Sequence, residues 1–244
     1  MISQQIFQKQ FDQALLPRHV AIIMDGNRRW ARQKGYLPVV GHWRGAETLM
    51  KITEIAASLG IKVLTVYAFS TENWKRSIEE VNDLMQLLKN YLLMQKDLML
   101  KEGVRLQTIG DLSYFPEELK VIIEKVKKET EKGEKINLVL ALNYGARDEI
   151  CRAARTIFED IEKGLVKKED VSEQLFSRYL DTAPWGDPDL LIRTSGELRV
   201  SNFLLWQISY AEVYVTETLW PDFQESDFLA ALLNYQNRER RQGE

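Results

Sequence analysis

Short runs dense in Val, Ile and Leu alternate along this chain with longer stretches whose apolar residues recur at helical spacing. That alternation leaves few architectures open. Strand-like runs fall at residues 20–24, 63–69, 104–109, 136–142, 190–192 and 213–216, and helix-period segments at 46–59, 119–132, 148–162 and 225–240. A strand, a helix and another strand in succession form a crossover, which joins parallel strands and leaves helices on the faces of the sheet. Val20-Ala21-Ile22-Ile23-Met24 is apolar at every position, as a strand buried on both faces must be. Gly60 and Gly133 stop the helices before them. No repeat, low-complexity stretch or flexible linker interrupts the pattern. The expectation is one α/β domain over residues 1–244, with a mostly parallel central sheet flanked by helices.

Composition removes several functions. The 244 residues carry one cysteine, Cys151, which excludes an intrachain disulfide framework and a multi-cysteine zinc site. Two histidines are too few for a His-rich metal centre. With 33 Lys+Arg against 36 Asp+Glu, no overall field attracts nucleic acid, and no nucleic-acid partner is expected. Apolar runs fall far short of the ~20 residues of a spanning helix. A cytoplasmic location is expected. Residues 1–18 place Ile2, Phe7, Phe11 and Leu15 at helical spacing, an N-terminal helical extension that lies on its own domain or touches a membrane.

The chemistry sits just past the strands, at Asp25, Ser70, Asp111, Asn143 and Arg193. Ligands of open parallel sheets bind beyond those carboxyl ends. Asp25-Gly26-Asn27-Arg28-Arg29-Trp30-Ala31-Arg32 joins a carboxylate, a tight turn, a helix start and cations. Such a group binds phosphate, with the Asp pairing with the arginines or holding a divalent cation that the phosphates share. The plain alternative is an N-capping Asp on a solvated basic face. An Asp-x-Asp-Gly phosphatase is excluded, since Ile23 stands where its nucleophile belongs. Polar clusters follow at Ser70-Thr71-Glu72-Asn73-Trp74-Lys75-Arg76 and from Arg193 to Phe203. Neither a Walker loop nor a Gly-x-Gly-x-x-Gly turn follows a strand, so the phosphates are not those of a nucleotide. Residues 84–100 are apolar over more than half of a helix surface, which suits a helix packed on two sides, a dimer contact or the wall of a greasy channel.

Several blocks, in order, resemble the cis-prenyltransferase family, in its bacterial undecaprenyl diphosphate synthase branch. They are His19–Asn27 with Arg29-Trp30, Gly41-His42, Tyr67–Ser70, Glu72-Asn73-Trp74 with Arg76, Asn143-Tyr144-Gly145, Asp189-Leu190 with Ile192-Arg193-Thr194, Ser201–Gln207, Tyr210-Ala211-Glu212 and Leu219–Phe223. The resemblance spans about residues 19–241. It implies a homodimeric α/β enzyme with an apolar tunnel. The implied reaction is Mg²⁺-dependent: isopentenyl diphosphate units join an allylic diphosphate such as farnesyl diphosphate, each with a new cis double bond. The implied product is a long polyprenyl diphosphate, such as the undecaprenyl precursor of the cell-wall lipid carrier. Contact with the membrane face would assist product release.

By the same resemblance Asp25 is the essential carboxylate and Mg²⁺ ligand, and Glu212 a second metal-site residue. Gly26, Asn27, Arg28, Arg29 and Trp30 cradle the allylic diphosphate, while Arg76, Arg193, Arg199 and Ser201 hold isopentenyl diphosphate. Asn73 assists proton removal by positioning a water or phosphate oxygen, because an amide has no useful basicity. His42, Ser70, Thr71, Glu72, Trp74 and Val200 complete the substrate-binding set. Arg28 replaces a common Gly, and Pro38 stands where relatives often carry a diphosphate-binding Arg; either Arg32 or Arg44 compensates, or the allylic affinity is lower. The terminal Arg241-Gln242-Gly243, in a tail over 238–244, matches a segment that reaches the other subunit's site. Trans-prenyltransferases would show Asp-Asp-x-x-Asp, which is missing. The competing readings are a non-catalytic partner subunit, which loses the Asp and Arg set, and a general diphosphate-binding α/β protein.

Overall fold

A computed structural model describes residues 12–238. Six strands form one sheet: β1 (His19–Ile23), β2 (Val63–Ser70), β3 (Val104–Ile109), β4 (Ile136–Tyr144), β5 (Leu190–Arg193) and β6 (Glu212–Val215). Their order is β3-β4-β2-β1-β5-β6, and every pairing is parallel. The α/β class is as expected, with the sheet wholly parallel.

Seven α-helices are described: α1 (Asn27–Gln33), α2 (Pro38–Ser58), α3 (Ile78–Glu102), α4 (Glu117–Glu129), α5 (Ala146–Glu162), α6 (Glu173–Arg178) and α7 (Glu225–Gln236). Strand alternation divides the core in two. Val20 and Ile22 of β1 face the larger cluster with Leu64, Leu138 and Ile192. Ala21 and Ile23 face a smaller one with Tyr144, Phe203 and Leu204. Ser77 caps α3 by accepting the Glu80 N–H at 3.2 Å, and Gly103 ends it with a left-handed φ of 66°.

Four features depart from the sequence expectations. Helix α2 starts at Pro38, eight residues before the expected 46, because Gly41 and Gly45 had broken the apolar pattern. Those glycines seat α1: a Cβ at Gly41 would lie 2.1 Å from the Asn27 carbonyl, and one at Gly45 2.4 Å from Asn27 Oδ1. The final helix ends at Gln236 instead of 240, and α6 was not expected. The broad apolar surface of α3 is only partly covered, since Met94 is 68% exposed. Most of the proposed N-terminal helix, and the tail beyond Arg238, lie outside the described residues. Among the described residues no helix is long and apolar enough to cross a membrane.

Candidate active site

Strand β1 hydrogen-bonds to β2 on one side and β5 on the other, and the chain continues from β1 and from β5 toward opposite edges of the sheet. A crevice opens where such connections diverge. Asp25 and Arg193 close its floor. Arg193 is 4% exposed; its Nη2 donates to Asp25 Oδ2 at 2.8 Å, and its Nη1 to Ser201 Oγ at 2.8 Å and to the Arg199 carbonyl. Asp25 Oδ1 accepts the Gly26 N–H at 2.7 Å. The Asp25 backbone is pinned as well: its N–H donates to the Thr194 hydroxyl at 2.9 Å, which donates back to its carbonyl at 2.7 Å. Gly26 turns the chain into α1 with φ 108°, where a Cβ would come within 3.0 Å of Leu219.

Two cavities flank this pair. The larger, about 640 Å³, is walled by Asp25, Gly26, Asn27, Arg28, Arg29, Arg32, Pro38, His42 and Arg76. The smaller, about 230 Å³, adds Ser70, Asn73, Tyr67, Ala68 and Ser201. Asn73 is held by its own loop, its Oδ1 accepting the Ser70 N–H at 3.1 Å. Four arginines share two carboxylates. Glu197 accepts from Arg29 at 2.9 Å and Arg199 at 2.6 Å, which hold its carboxyl below the usual range. Glu80 lies 2.8 Å from Arg76 and 3.6 Å from Arg28.

An apolar cavity of about 90 Å³ continues behind His42 and Ala68, walled by Leu84, Met85, Leu88 and Tyr91 of α3. It is smaller than the ~150 Å³ that admits a benzene. A continuous tunnel is not seen; in its place lies this partly open apolar cavity, also lined by Phe69, Leu142 and Trp220.

His42 borders all three cavities. Burial, then the nearby Arg76 charge, lowers its pKa to about 4, so its ring is neutral. Its Nε2 is buried without a partner. The unfolded chain, with His near 6.5, takes up protons that the folded chain refuses, so this stability is complete above pH 6.5 and declines toward pH 4. In His42→Gln the loss of unfolding free energy between pH 7 and 4 should be smaller than in the parent by about 2 kcal/mol, allowing for solvent screening. Comparing the two chains cancels buried Glu149, whose raised pKa acts in the opposite sense. Equal losses would place the acid sensitivity elsewhere.

Not every expected site residue reaches these cavities. Arg193 lies beneath them, and Arg199 is tied to Glu197. The Trp30 ring lies tilted against Tyr36 with centroids 6.0 Å apart. Trp74 is a brace: its Nε1 donates to Asn143 Oδ1 at 2.8 Å, and its ring meets Phe69 and Phe115 edge-on. Burial alone would raise the Glu72 pKa, but hydrogen bonds from its own N–H, Asn202, Ser70 and Thr71 prevail and lower it. Thr71 packs over Gly145, and the Val200 carbonyl accepts the Phe203 N–H at 3.0 Å.

Within one chain Glu212, the second expected metal-site residue, stands apart from Asp25. It opens β6, in register with Leu190 and Val20, about 15 Å along the strands from the level of Asp25. There it pairs with Arg238. Thr194 and Glu197 belong to the polar cluster read in the sequence, but their roles as supports were not read there, nor was Glu80 at all. Their signal was only proximity to the arginine clusters.

The family model described as putative undecaprenyl diphosphate synthase matches residues 23–243. The chain belongs to this prenyltransferase family. An isoprenyl transferase of Clostridium perfringens is 48% identical over 228 residues, covering 93% of this chain and 90% of that protein. The structure of lavandulyl diphosphate synthase from Lavandula x intermedia, in complex with dimethylallyl diphosphate, superposes with a TM-score of 0.92 at 39% identity. It covers 95% of this chain and 100% of its own. A probable undecaprenyl diphosphate synthase from Campylobacter jejuni gives 0.78 at 37% identity, covering 93% and 99%. This prenyltransferase carries its cation-lined cavities at the carboxyl ends of β1, β2 and β5, next to an apolar one.

Proposed function

We propose that this chain elongates an allylic diphosphate, farnesyl diphosphate being the expected primer, with successive isopentenyl diphosphate units. The product is a long cis-polyprenyl diphosphate of undecaprenyl type, the precursor of a cell-wall lipid carrier. The carrying observation is Asp25, paired with Arg193 beneath it, in the wall of both a 640 Å³ cavity lined by Arg28, Arg29, Arg32 and Arg76 and a 230 Å³ cavity that shares Arg76. Two diphosphates meeting head to tail need two such sites.

The allylic diphosphate fits the larger cavity, between the Gly26–Arg29 turn and Arg32. Pro38 brings no charge there; Arg32 lines this cavity and Arg44 does not, which favours Arg32 as the compensating cation. Isopentenyl diphosphate fits beside Ser201 and Arg76, with Arg193 and Arg199 behind. Breaking the allylic C–O bond places negative charge on the leaving diphosphate, which the arginines stabilise. The positive allyl group faces apolar walls that exclude water. Asn73 and neutral His42 orient the oxygen that removes the proton.

Mg²⁺ is bound by one or two carboxylates together with substrate phosphates. Asp25, one-third exposed with its carboxylate beside the larger cavity, fits that donor set. Bound there, the ion would neutralise charge on the departing diphosphate. A homodimer, completed by the tail over 238–244, and a peripheral membrane contact belong to the same reading.

The test is incorporation of radiolabelled isopentenyl diphosphate with farnesyl diphosphate and Mg²⁺, with products sized by chromatography. Long labelled chains are expected, and EDTA should abolish them. No incorporation defeats the proposal. Ala68 lies at the junction of the polar and apolar cavities. Ala68→Leu should shorten the products, because three added carbons occupy space that a packed wall does not return. An unchanged chain-length distribution would put the growing chain elsewhere.

A further inference from the structure

The loop after β5 follows a path that its residues disfavour. Ser195, Ser201, Asn202 and Leu204 have φ of 73°, 48°, 62° and 47°, in the left-handed region that burdens any residue with a Cβ. Such a path persists only where surrounding contacts impose it. Asn202 is the centre of those contacts. Its carbonyl accepts the Ala146 N–H at 2.8 Å, its Oδ1 the Arg147 N–H at 3.0 Å, and its Nδ2 donates to Glu72 Oε1 at 3.1 Å. One side chain thereby joins the loops that follow β2, β4 and β5.

The joint is tight. A Cβ on Gly145 would lie 2.8 Å from Asn202 Nδ2 and 2.7 Å from Thr71 Oγ1. On one side of Asn202, Ser201 receives the Arg193 guanidinium. On the other, buried Phe203 stacks on Tyr67 at 4.4 Å, and the Tyr67 hydroxyl donates to the Ser201 carbonyl at 3.4 Å. Glu72 directly precedes Asn73.

We infer that Asn202 is a positioning residue that fixes the spacing between Asn73 on one loop and the Arg193–Ser201 diphosphate contacts on the other. It touches no substrate itself. The inference rests on the proposed function. Its effect is specific to one substrate: loosening the joint displaces the isopentenyl diphosphate site and leaves the Gly26–Arg29 turn in place.

Asn202→Asp tests this, because Asp tolerates the left-handed φ and still accepts the Arg147 N–H. It sets a second carboxylate against Glu72, and Glu72→Gln in the same chain restores a donor–acceptor pair with the direction reversed. Asn202→Asp is expected to raise KM for isopentenyl diphosphate about tenfold, the worth of one charge-assisted hydrogen bond. KM for the allylic diphosphate should stay within about twofold. The double variant should recover to the level of Glu72→Gln alone, which keeps an acceptor for Asn202 and reports whatever Glu72 itself contributes to binding. An equal rise in both KM values, or no recovery, overturns the inference and leaves Asn202 a fold-stabilising residue. If Asn202→Asp does not fold, Asn202→Gly keeps the φ and removes both side-chain contacts of the joint, to Glu72 and to the Arg147 N–H. It must show the same split, and a uniform change there overturns the inference too. A wild-type chain that condenses neither substrate defeats the proposed function itself, before any variant is compared.

Discussion

Asp25→Ala is expected to remove nearly all turnover, by about 10²–10³-fold or more, while the chain still folds. The carboxylate is where three demands meet. It orders the Gly26 turn through its Oδ1, pairs with Arg193 through its Oδ2, and is the group suited to a cation shared with phosphate. The fold should survive, because Arg193 keeps the Ser201 hydroxyl and the Arg199 carbonyl, and Thr194 still holds the backbone of residue 25. Thermal unfolding monitors the fold and labelled isopentenyl diphosphate the turnover. Near-normal rates from a folded variant at saturating Mg²⁺ would sink the assignment.

Arg193→Ala should raise KM for isopentenyl diphosphate far more than for the allylic substrate. Its guanidinium is buried and forked, with one nitrogen on Asp25 and the other on Ser201. Losing charge-assisted bonds of ~1.5–3 kcal/mol corresponds to about 10- to 150-fold in binding. Arg193→Lys should rescue poorly, since a single ammonium cannot satisfy both directions of the fork. Initial rates with each substrate varied in turn separate the two KM values. If both rise equally, Arg193 does not divide the two diphosphate sites.

Much of this site could be read along the chain, for a physical reason. Strands buried on both faces are uniformly apolar, so the first polar residue after each one marks the crevice, and Asp25, Ser70 and Arg193 stood out in that way. What could not be read depends on contacts remote in sequence. Glu212 lies near Arg193 in sequence, yet the register of β6 with β5 carries it to the far end of the strand. The bracing of Trp74 by Asn143 and Phe115 likewise joins residues far apart in the chain. Helix α2 hid its first turns because glycines that serve close packing erase the apolar period. Asn202 was visible only as part of a motif, since its partners, Glu72 and the Ala146–Arg147 helix start, come from two segments remote in sequence.

The pinning of Asp25 also has a consequence in time. Its N–H and carbonyl are held by Thr194, and the same carbonyl accepts the Trp220 N–H at 3.0 Å. Strand β1 sits mid-sheet, but its β5 neighbour is about 170 residues later in the chain. During synthesis, which runs N-terminus first, the early strands and helices gather before any of these clasps exists. The reaction centre is thus among the last parts to assemble, and closing so long a loop is entropically slow. A chain interrupted before Trp220 would retain the Asp25–Arg32 segment without the fastening that aims it. Asp25 is among the first residues made and among the last to be fastened in place.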